Sequence, residues 1–82
     1  MISRNTGAKN LREKVPGMQA LTSAERRVLK LIASDRTTKE IADDLDLSPR
    51  TIDSHRSNIC AKLGISGSHS LLKFAFENRS RL

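Results

Sequence analysis

One cysteine, Cys60, is all the sequence offers for disulfide chemistry. An internal disulfide is therefore impossible, and a thiol-protecting, cytoplasmic setting is expected. The two histidines, His55 and His69, stand far apart with no second Cys or His at ligand spacing. That argues against a zinc site, and no other metal or cofactor is expected. No apolar run approaches the roughly 18 residues that span a membrane, and the start lacks a secretory apolar segment. Paired carboxylates, a nucleophile–base pair and a glycine-rich phosphate loop are also missing, so an enzyme is not expected. There are no internal repeats, no low-complexity tracts and no convincing strand alternation.

What is present is positive charge, and its distribution matters more than its total. The net charge is +6 and the pI about 10.3. Residues 1–20 carry Arg4, Lys9, Arg12 and Lys14 against Glu13, and residues 66–82 carry Lys73, Arg79 and Arg81 against Glu77. The centre, 21–65, holds eight basic and seven acidic residues. Net charge thus supports an anionic partner only modestly, because basic ends alone would give the same total.

At 82 residues the chain is one small domain with a marginal core. Residues 1–20, with Gly7, Pro16 and Gly17 and no sustained apolar period, read as a flexible linker or tail. A short amphipathic helix across Lys9–Lys14 is compatible with that stretch but nothing supports it. From Leu21 the helix signals are dense. In "TSAE" Thr22 caps a helix while Glu25 reaches back to the cap's own N–H. Val28, Leu29, Leu31 and Ile32 make its apolar face, which closes near Ser34–Arg36. "TTKE", Thr37–Glu40, repeats the box and opens a short second helix with Ile41, Ala42 and Leu45 inward; Leu47 falls in the turn after it. Ser48-Pro49 starts a third helix, Ser48 as cap and Pro49 at the first position, where its missing N–H costs nothing. It runs to Leu63 and stops at Gly64. After "ISGSHS", Leu71, Leu72, Phe74, Ala75 and Phe76 form a fourth helix ending near Asn78, and 79–82 is a tail. The expected fold is all-α, four helices over 21–78.

A helix of about nine residues, a turn of about three and a longer helix opened by Ser-Pro is the layout of a helix-turn-helix. At ~100° per residue, Ile52, Ile59 and Leu63 share one stripe of the third helix, with His55 at its border. The opposite face collects Arg50, Ser54, Ser57 and Ala61, flanked by Asp53 and Asn58. Small residues admit a close approach, and polar ones can read base edges in a major groove. A merely solvated face would look the same.

The stretches "LTSAERRVLKLIA" (21–33) and "TKEIADDLDLSPRTIDSHRSNICAKLGI" (38–65), with the aliphatic fourth helix, resemble the LuxR-type helix-turn-helix domain, also called the GerE or NarL/FixJ type. The run "SPRTIDSHRSNICAKLGI" is the specific part. The resemblance implies a four-helix, DNA-binding transcription regulator domain, usually a C-terminal output half. Its third helix, about 49–63 here, enters the major groove and its fourth commonly makes a homodimer. Asp35 stands where the family often has Gly, Thr38 where it often has Asn, and Asp53 where many members have Lys or Arg. Asp tolerates a left-handed conformation, so the turn at Asp35 should survive. No receiver or ligand-binding domain precedes the motif, which suggests an excised output domain of a response regulator or a stand-alone regulator.

Taken singly, Lys39 is placed to meet a phosphate beside the N–H groups that open the second helix. Arg50 can reach phosphate or guanine, and the Thr51 hydroxyl can bond a phosphate or its own backbone. Ser54 and Ser57 match the family's base-contacting positions, and Asn58 can touch the DNA backbone or brace the turn. Asp53 either tempers the charge of the face, holding Arg50 or Arg56, or accepts a bond from a cytosine N4. Lys62 can pair with Glu25 or with a phosphate. His55 reads as structural and Cys60 as a partly buried apolar residue. Asp43, Asp44 and Asp46 crowd the end of the second helix, where the dipole disfavours acids. Solubility explains them more simply than a contact with RNA polymerase. Leu71, Leu72, Phe74 and Phe76 exceed what one small core can hide and are candidates for dimerisation. The rival readings are a sigma-region-4-like module, which "HRSNICAKLGI" disfavours, and an interaction-only dimerisation module.

Overall fold

Thr22 and Thr37 each close a reciprocal cap, and those two caps set where the first two helices begin. A computed structural model describes residues 17–82. In it Thr22 Oγ1 accepts from the Glu25 N–H (3.1 Å) and Glu25 Oε1 accepts from the Thr22 N–H (2.9 Å). Thr37 and Glu40 do the same at 3.1 and 2.9 Å. These open α1 (Ser23–Ala33) and α2 (Thr38–Leu45). Ser48 caps α3 (Pro49–Leu63) by accepting the Thr51 N–H, with proline at the first position as expected. The last helix, α4, spans Ser68–Glu77.

Three helices end alike. The left-handed residue closing each is Asp35 (φ 64°), Asp46 (φ 58°) or Gly64 (φ 71°). The next N–H bonds back five residues in each case: Arg36 to Leu31, Leu47 to Ala42 and Ile65 to Cys60. This satisfies carbonyls the helix end would otherwise leave open. Asp35 therefore does hold the conformation foreseen for it, and Asp46 is a second such site that sequence reading had not marked.

Apolar residues spaced three and four apart converge from all four helices. Val28, Leu29 and Ile32 of α1, Ile41 and Ala42 of α2, Ile52 and Ile59 of α3, and Leu71 and Ala75 of α4 are all buried. Burying each large one stabilises by about 1.5–3 kcal/mol. α3 packs on both α1 and α2, and α4 packs on α1. Leu63, Cys60 and Leu31 lie against this core half-buried.

The packed unit extends beyond both expected limits. Met18–Ala20, expected in the linker, form a 3-10 turn, and the Met18 side chain is in the core. At the other end Arg79–Arg81 form a second such turn, and Leu82 packs against the core. α4 begins at Ser68, three residues earlier than the apolar run suggested. The possible helix at Lys9–Lys14 lies outside the described residues. No described helix is long and apolar enough to cross a membrane.

Glu25 joins the first cap to α3. It is only 4% exposed, and Lys62 Nζ donates to its Oε1 at 2.7 Å. Burial pushes its carboxyl pKa up. The hydrogen bonds from Lys62 and Thr22 and the Lys62 charge outweigh that, so the net displacement is below the ordinary value of 4.5. A carboxyl whose pKa falls on folding adds stability above its unfolded value, and that contribution disappears as pH drops below 4.5 through the folded one. Glu25→Gln retains the cap, which accepts glutamine, but removes the charge. The variant is expected to lose about 1–3 kcal/mol at neutral pH and to show a shallower fall in stability below pH 4.5. Urea unfolding of both proteins across that range checks it; an unchanged acid limb would contradict the role given to this pair.

Candidate nucleic-acid interface

The helix-turn-helix consists of α2, the turn Asp46–Ser48 and α3. Its rigidity comes from hydrogen bonds that close on themselves. Asp46 and Leu47 tie the turn back to α2. Ser48 Oγ lies 2.9 Å from Thr51 Oγ1 and also accepts the Thr51 N–H. The Thr51 hydroxyl is thus engaged locally, with its side chain half-buried. Arg36 Nη2 meets Asp44 Oδ2 at 3.1 Å, joining the turn before α2 to its last turn. Both groups are well exposed, so the pair contributes at most about 1 kcal/mol. It does offset one of the acids at the unfavourable end of the α2 dipole. At the other end Glu40 is held below the ordinary carboxylate range by the Thr37 N–H, with smaller help from the Thr37 hydroxyl and Arg36.

α3 divides cleanly into two sides. Ile52 and Ile59 are fully buried, with His55 half-buried beside them. Arg50, Asp53, Ser54, Ser57, Asn58 and Ala61 are all exposed. At 1.5 Å per residue α3 is about 22 Å long, and this small, polar face runs nearly its whole length. Lys39 is exposed in the first turn of α2. Asp53 forms no ion pair with Arg50 or Arg56 among the described residues, where only Arg36–Asp44 and Lys62–Glu25 pair. The expectation that it holds an arginine is not met in the structure. Lys62 meets Glu25, one of the two partners considered for it.

The helix-turn-helix, with its specific run in α3, lies within one matched segment. The family model of bacterial regulatory proteins, luxR family, matches residues 19–75. The chain belongs to this family.

Relatives of this luxR-family chain agree. It is 39% identical over 62 residues to the transcriptional regulatory protein MctR of Rhizobium johnstonii, covering 76% of this chain and 29% of that protein. Over 47 residues it is 49% identical to the spore germination protein GerE of Bacillus subtilis, covering 57% and 64%. The transcriptional regulatory protein FixJ of Rhizobium meliloti is 40% identical over 58 residues, covering 71% and 28%. The chain spans less than two thirds of the length of each. No solved structure is a significant match.

In the luxR-family domain described here, α4 corrects one expectation. Leu71, a candidate for dimerisation, is 1% exposed in the core, and a side chain with no free surface cannot meet a partner. Leu72 and Phe74 are half-buried, and Phe76 is 41% exposed. Sequence reading also undervalued Arg56, seen only as a partner for Asp53. It is half-buried and lines a cleft between α3 and the start of α4 with Asp53, Ser57, Gly67 and Ser68. The available signal was its spacing, three residues from Asp53 and one from Ser57.

Proposed function

We infer that this domain binds double-stranded DNA sequence-specifically, as the output element of a cytoplasmic transcription regulator, with α3 in the major groove. The observation that carries this is the exposed face of α3, small and hydrogen-bonding along nearly its full length on a helix otherwise locked into the core. A major groove admits one α-helix and presents a distinct donor and acceptor pattern at each base pair. Relatives named as transcriptional regulatory proteins support the reading. The assignment is to binding, not catalysis.

Ser54 and Ser57 are assigned to base edges, with Ala61 admitting close approach. Arg50 and Asn58 border them and take phosphates or flanking bases. Lys39 takes a phosphate beside the N–H groups of α2. If the Ser48 hydroxyl donates to Thr51 Oγ1, the Thr51 proton is left for a phosphate. A homodimer through Leu72, Phe74 and Phe76 would set two half-sites about 10 bp apart or a multiple of that.

Asp53, unpaired by either arginine in the structure, tempers the charge of the face. Asp53→Lys is expected to tighten binding to all duplexes and to steepen the salt dependence. A changed base preference at one position in a binding-site selection would show instead that Asp53 reads cytosine.

The function is tested by mobility-shift titration with duplex DNA at two or more salt concentrations. Phosphate neutralisation releases counterions, so affinity should fall steeply with salt. Binding unaffected by salt, or none at all, would favour the interaction-only reading.

A further inference from the structure

Arg56 carries a charge that no described residue answers. Its side chain is half-buried on the α4 side of α3. Among the described residues the ion pairs are Arg36–Asp44 and Lys62–Glu25. The arginines that donate side-chain hydrogen bonds there are Arg26, Arg79 and Arg81. Two carboxylates share a cleft with Arg56: Asp53 between α3 and α4, and Asp35 in a second cleft beside the turn before α2. Neither pairs with it. A guanidinium does not lose its proton in proteins, and partial burial costs it hydration that an anionic partner would restore.

An arginine can lie this way merely to rest its stem on apolar surface, with the head in water. Its placement argues for more. The cleft that Arg56 lines with Asp53 also takes in Ser57 and Ala61 of the exposed α3 face, and Gly67 and Ser68 at the start of α4. Arg56 thus borders that face across a shared concavity. At ~100° per residue it stands about 100° around the helix from Ser57. With Ser57 turned to the base edges, Arg56 lies on the flank of α3, toward a wall of the groove. A helix with its side chains is about 10–12 Å across, and the major groove is about 12 Å wide. The flanks of α3 would therefore run against sugar–phosphate backbone. A planar guanidinium matches two phosphate oxygens at once.

We propose that Arg56 grips a backbone phosphate of the strand on the α4 side of α3, fixing the depth and register at which the exposed face meets the bases. This deepens the DNA-binding reading and rests on it.

The test uses three substitutions in the full chain. Arg56→Met keeps an apolar stem without the charge, Arg56→Gln replaces the charge with a polar head, and Arg56→Lys keeps the charge without the fork. Arg27→Gln is the control, because Arg27 is exposed and lines a different cleft with Asp44 and Asp46. Melting temperature is measured for each, with duplex affinity against salt on a selected site and a random sequence. Both neutral variants should stay folded and bind both duplexes about tenfold more weakly. Their slope of log affinity against log salt should become shallower by about 1. Arg56→Lys should keep the slope and regain part of the affinity. Ethylation of single phosphates should weaken the parent at one position on that flank of each half-site, and Arg56→Met should be indifferent to it. Neutral variants that keep the parent's affinity and slope overturn the proposal and leave only the packed stem. A loss confined to the selected site, with an altered base preference, overturns it by making Arg56 a base reader. An equal loss from Arg27→Gln overturns it as a general charge effect. The parent's own ethylation map needs no variant, and a map without a sensitive phosphate on that flank overturns it too. A parent chain that binds no duplex DNA removes the DNA-binding reading and this contact together; parent binding with indifferent variants removes the contact alone.

Discussion

Ile59→Ala is expected to leave the domain close to unfolding at room temperature. Ile59 has no exposed surface and sits where α3 meets the core. Removing three carbons there loses their transfer free energy and leaves a cavity, about 2–5 kcal/mol together. A domain of this size has a total stability of only ~3–10 kcal/mol, at 0.05–0.15 kcal/mol per residue. The melting temperature should fall by more than ~10 °C, read by loss of helical circular dichroism. Ile59→Val should cost about 0.5–1.5 kcal/mol and stay folded. An alanine variant melting within a few degrees of the parent would mean that α3 does not anchor on this residue.

Ser57→Glu separates folding from binding in the opposite sense. Ser57 is exposed in the middle of α3, and glutamate is at least as good a helix former as serine, so stability should stay within about 0.5 kcal/mol. A carboxylate there would face the phosphates and base acceptors of a groove. Two like charges ~4 Å apart repel by about 4 kcal/mol at an effective dielectric of 20, which screening reduces. Affinity should fall by about a hundredfold. Ser34→Glu makes the same charge change at an exposed residue after α1 and should weaken binding only slightly. Equal losses from the two substitutions would show a general charge effect and no role for the α3 face.

Much of this architecture was legible because specific residues sit at fixed offsets. Thr22 with Glu25, Thr37 with Glu40, Ser48 with Pro49, and Gly64 each mark a helix end by a hydrogen bond or a backbone conformation that few other residues provide. Where such a residue is missing, the reading slipped. The residue before α4 is Gly67, which offers no side-chain cap, so the apolar run drew the expected start to Leu71. Asp46 closes α2 in a left-handed conformation that glycine would have advertised. Met18 enters the core from a segment without periodicity because Gly17 lets the chain fold back onto α3.

α4 shows why hydrophobicity alone misplaces an interface. In "LLKFAF" the apolar residues ring most of the helix, so nothing in the pattern says which face turns inward. Packing against α1 selects Leu71 and Ala75, one turn apart, and leaves the larger Phe76 outside. The candidate site was easier, since an exposed face must avoid the Ile52–Ile59 stripe and helical spacing then fixes its members. Whether Asp53 met an arginine, and which partner Lys62 took, depended on side-chain directions and on Glu25, 37 residues away. Spacing along α3 could not decide either.

Groove choice is the most direct test of the whole reading. Dimethyl sulfate methylates guanine N7 in the major groove and adenine N3 in the minor groove, so protection of a selected binding site reports which groove α3 occupies. Bound domain should protect guanine N7 positions within each half-site, leave adenine N3 there reactive, and lose the N7 protection in Ser57→Glu. Protection confined to adenine N3, or guanine N7 left fully reactive at a saturated site, would contradict the placement of α3 in the major groove.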